Sequence, residues 1–123
     1  MLSVSFYVLS GTVLLGVLLI GLHLRATEPA QLPPWQVGAL HGVLGAMGVG
    51  VLLLALRGPT RGVETGSSSF GLQSAVLLVA GLIAGVAIPV LARRQARPSS
   101  LVLVTHGGLA ITGFVLLWAY ASL

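Results

Sequence analysis

The chain has 123 residues, 56 % of them hydrophobic, a mean hydropathy of +1.06 and eight charged side chains, six Arg and two Glu. A soluble domain is about a quarter charged, so a water-facing surface cannot be built from 7 %. The absence of cysteine excludes a disulfide framework, a thiolate metal site, an iron–sulfur cluster and a C-x-x-C-H haem attachment, and the net charge of +4 comes from scattered arginines rather than a basic face, which speaks against nucleic acid as a partner.

The charges cluster at Arg25 to Glu28, Arg57 to Glu64 and Arg93 to Arg97, leaving charge-free stretches at 1–24, 29–56, 65–92 and 98–123. Each exceeds the roughly 20 apolar residues that cross a bilayer core of about 30 Å. A single transmembrane domain over 1–123 is therefore expected, all-α and solvated by the lipid bilayer, with helices at 3–24, 35–57, 70–92 and 99–122.

The first segment has no preceding positive charge and no A-x-A-like cleavage region, so it reads as a helix rather than a signal peptide. It carries Gly11, Gly16 and Gly21 and ends at His23 and Arg25. Pro29, Pro33 and Pro34 break the chain before it re-enters helix at Trp35. The second helix holds Gly38, His41, Gly45 and Gly48, and a Gly/Ser/Pro-rich connection from Arg57 to Ser69 follows. In the third, Gly81 and Gly85 precede Pro89, which is expected to bend the last turn. The shortest connection, Arg93 to Ser100, leads to the fourth helix with His106 and Gly113.

Short connections make neighbours antiparallel, so the expected architecture is an up-down-up-down four-helix bundle with both termini on one side. That side is called A and the opposite one B. Phe6, Tyr7, Trp118 and Tyr120 mark interface A, and Trp35 marks interface B. Arg25, Arg93, Arg94 and Arg97 on side B outnumber Arg57 and Arg61 on side A, which predicts a cytoplasmic side B and both termini outside a cell inner membrane.

The histidines are the main functional signal. His41 and His106 each lie two turns into their helices, on the order of 8–10 Å below side B. Each begins the pattern H-G-x-L-x-x-x-G, at an offset of 65 residues, the same offset that takes Gly16 to Gly81. Two repeated helical hairpins would place the two rings across a pseudo-two-fold axis. A bis-histidine haem b uses one imidazole from each of two facing helices in a dry bundle core. Gly45 and Gly48 beside His41, and Gly113 beside His106, would make room for the macrocycle, and Arg25, Arg93 and Arg94 would pair with its propionates. His23 is expected near the interface, solvated or supporting the ligands. In helix number and paired histidines the chain resembles the small four-helix cytochrome b anchors of respiratory enzymes, although no stretch carries a motif of that group.

The bland reading of a membrane histidine is a hydrogen bond across helices at about 1 kcal/mol or less. Intramembrane ionisable groups are nonetheless functional candidates by default. Glu28 and Glu64 lie on opposite sides and cannot act as a catalytic pair, and no serine has the partners of a nucleophile. Three functions therefore stand: electron transfer through one haem b, with a quinone or another membrane subunit as partner; a cofactor-free accessory subunit; and a quinone or lipid site using His23 and the side B arginines. For the second, the Gly11, Gly16 and Gly21 side of the first helix and the Gly81 and Gly85 side of the third are the expected docking faces.

Overall fold

A computed structural model describes residues 1–28, 32–93 and 99–123. Among them are four helices: α1 (Leu2–Arg25), α2 (Trp35–Ala55), α3 (Phe70–Ala92) and α4 (Ser100–Ala121). Each is long and apolar enough to cross a membrane. The chain is a multi-pass, all-α membrane bundle, and the helix bounds differ from those expected by two residues at most. Pro34 and Ser99 precede α2 and α4 in extended conformation, which sets the chain up to enter a first helical turn. Pro89 is carried inside α3, where it removes the N–H that would close onto the Gly85 carbonyl.

The helices form two tight hairpins, α1 with α2 and α3 with α4. Contacts of α2 with α3 and of α1 with α4 close the bundle, so α2 and α4 stand on one diagonal and α1 and α3 on the other. The close approach within each hairpin rests on glycine. A Cβ added to Gly48 would lie 2.7 Å from Leu9 Cγ, and one added to Gly113 would lie 2.9 Å from Leu78 Cγ. Beside each contact a buried serine crosses the hairpin: Ser5 Oγ donates to the Gly48 carbonyl at 2.9 Å, and Ser74 Oγ to the Gly113 carbonyl at 2.8 Å. Leu52 and Leu117, fully buried, complete the two halves.

The two hairpins thus carry matching contacts, in a register that differs from the expected one. Gly48 maps to Gly113 at the expected offset of 65, but Ser5 maps to Ser74, an offset of 69. The counterpart of Gly16 is therefore Gly85, not Gly81. The first hairpin has four more residues between matching positions because α1 and its connection are both longer beyond that level.

The core lies in one half of the bundle. Leu9, Val49, Leu52, Ala75, Leu78 and Leu117 form it, with Phe6 and Phe114 stacked beside it at 5.6 Å. The level of Thr12, Gly45 and Gly81, all buried, is its upper boundary, and towards side B from there Ala26 is the only buried residue among those described. At side A the connection between α2 and α3 folds back over the bundle end. Gly62 takes a φ of +70°, open to glycine at no steric cost, and Leu123 lies against it. Tyr7, Trp35 and Trp118 face outwards as interface residues, whereas Tyr120 is buried and accepts a hydrogen bond from the Arg61 backbone N–H at 3.4 Å.

Candidate functional site

His41 and His106 each lie six residues after the first residue of their helix, about 9 Å along it by the 1.5 Å rise. Each ring is received by the other helix of its own hairpin, in a notch left by a missing side chain. A Cβ added to Gly16 would sit 2.9 Å from His41 Cε1, and one added to Gly85 would sit 2.9 Å from His106 Cε1. Four residues before each glycine is the carbonyl that holds the ring: His41 Nδ1 lies 3.0 Å from the Thr12 oxygen, and His106 Nδ1 lies 2.7 Å from the Gly81 oxygen. Thr12 and Gly81 are themselves equivalent at the offset of 69.

A carbonyl oxygen only accepts, so Nδ1 carries a proton in both rings. In the neutral imidazole this leaves Nε2 with its lone pair, the tautomer of a histidine that binds metal through Nε2 while its other nitrogen is anchored to a backbone carbonyl. The two rings meet across the pseudo-two-fold axis with centroids 5.9 Å apart and planes at 82°. No two neutral rings in this tautomer can hydrogen-bond to each other through Nε2, because neither nitrogen has a proton to give.

The donor set limits what such a pair can hold. No group of three or more His, Asp or Glu residues able to bind a metal occurs among the described residues. A tetrahedral zinc site wants four ligands, or three and a water. Two imidazoles suit an ion whose remaining positions are filled by a macrocycle, as in a bis-histidine haem.

The other expected site residues are distributed differently. Gly45 is filled by Thr12 and Leu82, Gly48 by Leu9 and Gly113 by Leu78, so these three shape the core beneath the histidines. At ring level the notches of Gly16 and Gly85 hold the imidazoles themselves, which also removes these two, with Gly81 against Ala110, from the expected docking faces. Gly16 and Gly85 carry a sequence signal, Gly-Val at an offset of 69, that an alignment at 65 hides. His23, half-buried, and Arg25 end α1, and Arg93 follows α3, both arginines exposed at side B. Arg94 and Arg97 lie outside the described residues. Comparison with protein-family models, with curated proteins and with solved structures finds no match to this chain.

Proposed function

We propose that this chain is a small membrane subunit that holds one haem b between His41 and His106 and passes electrons within a larger membrane complex. The observation that carries the reading is the paired anchoring of the two rings: on diagonal helices, at one depth, each Nδ1–H is committed to a carbonyl of its own hairpin. Haem would supply one-electron chemistry at a potential tuned by its surroundings. The protein's part is to present two Nε2 lone pairs, to keep water away with the packed layer below, and to offer Arg25 and Arg93 on side B for the propionates. Electrons would come from a quinone or a partner subunit.

The test is an absorbance spectrum of the chain purified from its native membrane, oxidised and then dithionite-reduced. A low-spin b-type spectrum is expected. Its absence, with no haem extractable by acid acetone, would leave the accessory-subunit reading. One observation favours that alternative: Gly38, Gly42, Ala46 and Gly50 recur every fourth residue of α2, and each of these three glycines has no atom within 4 Å of an added Cβ. Such a face suits close approach of another membrane helix. For orientation, an alkaline-phosphatase fusion at Leu123 is expected to be active, with the termini outside; an inactive one would reverse it.

A further inference from the structure

Arg61 lies at the other end of the molecule from the histidines and takes no part in the proposed electron transfer. Its backbone N–H is tied to the Tyr120 hydroxyl, and Tyr120 is itself buried, so the connection is pinned across the mouth of the bundle at side A. Its guanidinium makes no ion pair among the described residues, although Glu64 is only three residues away in the chain.

Beside Arg61 a cavity of about 210 Å³ opens between the start of α1 and the end of α4, and its lining includes Leu2, Ser3, Phe6, Tyr7, Trp118 and Ser122. Its chemistry is graded. Leu2 and Phe6 form an apolar floor towards the core. Tyr7 and Trp118, exposed by 73 % and 59 %, stand at headgroup depth as amphipathic interface residues do. Ser3 and Arg61 supply the polar rim, with five guanidinium N–H donors in a planar fork that fits a phosphate oxygen pair.

We propose that this cavity seats the phosphate headgroup of an anionic phospholipid, with Arg61 as the phosphate partner and the groove between α1 and α4 receiving the first part of an acyl chain. Charge complementarity and the vertical order of apolar floor, aromatic belt and cation select a lipid. A soluble phosphate has no use for the apolar floor. An arginine near a membrane surface contributes about a five-fold preference for an anionic headgroup.

Trp118 lines the cavity, and Trp35, at side B, is the only other tryptophan. In a Trp35→Phe background, the full chain in bilayers containing brominated phosphatidylglycerol is expected to show Trp118 quenching that saturates at about five-fold lower lipid fraction than with brominated phosphatidylcholine. Arg61→Gln should remove that difference, and Arg57→Gln should leave it. Equal quenching by the two lipids overturns the proposal, as does a preference that survives Arg61→Gln or is lost equally in Arg57→Gln. Inorganic phosphate at millimolar concentration is expected to leave the preference intact; its abolition would assign the site to free phosphate instead. Helicity by circular dichroism, and an unchanged Trp118 emission maximum without brominated lipid, establish that Arg61→Gln is folded.

Discussion

The two halves of this bundle are made from the same helices and do different work. From Thr12 and Gly81 towards side A, leucines fill the notches at Gly48 and Gly113 and serines reach across to carbonyls. From the same level towards side B, Gly16 and Gly85 receive histidine rings instead. The packed half fixes the spacing and tilt of the helices, and the histidine half inherits that geometry with little core of its own. A leucine in a glycine notch satisfies itself by contact, but an imidazole must also place a proton and a lone pair. The same steric device thus occurs twice along each hairpin, once to seat a leucine and once to seat a histidine ring.

The sharpest way to break this comparison is to remove the rings. His41→Ala and His106→Ala are each expected to abolish a low-spin haem b spectrum, since a set of two axial ligands needs both. His23→Ala, at the end of α1, should leave the spectrum largely intact. Meanwhile the stability of the apoprotein in mixed detergent micelles should fall by only about 1 kcal/mol for either ring, the worth of one interhelical hydrogen bond. A single mutant with an unaltered spectrum would remove the ligand assignment. A collapse of the fold would show that the histidine half is structural.

The packed half should respond in the opposite sense. Gly48→Ala and Gly113→Ala each place a methyl within 3 Å of a leucine that fills the notch, and overpacking of this kind costs about 1–3 kcal/mol. Gly11→Ala and Gly50→Ala, with open space around them, should leave stability unchanged. Reversible unfolding followed by circular dichroism separates the two pairs; equal effects at all four positions would mean that the glycines act through helix propensity rather than notches.

How much of this division is legible in the sequence follows from what each part depends on. The helices are legible because a bilayer demands charge-free runs, and the eight charges mark their ends. The pairing of His41 with His106 is legible as well, because H-G-x-L-x-x-x-G is a dense local pattern at a single offset. The other strand of the repeat is sparse, consisting of Ser5, Leu9 and Gly16 against Ser74, Leu78 and Gly85, and it runs at 69 because the first hairpin turns later. A single offset therefore paired Gly16 with the wrong glycine. Gly48 was legible as a small residue on the face of His41, but two turns of helix separate them, and what fills a notch at that distance depends on the facing helix. The anchors of the two rings are backbone carbonyls, which leave no trace in residue identity.

The boundary between the halves can be probed at the notches that hold the rings. In Gly16→Ala and Gly85→Ala the added methyl would meet His41 or His106 Cε1 at 2.9 Å, so the ring must shift. Such a shift lengthens or bends the Nδ1–H bond to Thr12 or Gly81, the contact that orients the ring. Each variant is expected to fold and to show a changed midpoint potential or spectrum of the haem that the proposal places there. Equal changes from the two variants would sharpen the case for a symmetric site.

The smallest effect belongs to the serines and tests whether the duplication is energetic as well as geometric. Ser5 and Ser74 each donate to a glycine carbonyl across their own hairpin, at 2.9 and 2.8 Å, and both are fully buried. The carbonyls of Gly48 and Gly113 also lie inside α2 and α4, where helix geometry already provides an N–H four residues on. Removing the hydroxyl therefore leaves no orphaned acceptor, and Ser5→Ala and Ser74→Ala should each cost only about 0.6 kcal/mol, the average for interhelical hydrogen bonds in a membrane. Because the two bonds share no partner, the double variant should show the sum. A cost well above that sum would mean that the hairpins, joined only by the lighter contacts of α2 with α3 and α1 with α4, nevertheless set each other's geometry. In that case the side B spectrum should shift with it, although both serines lie in the opposite half.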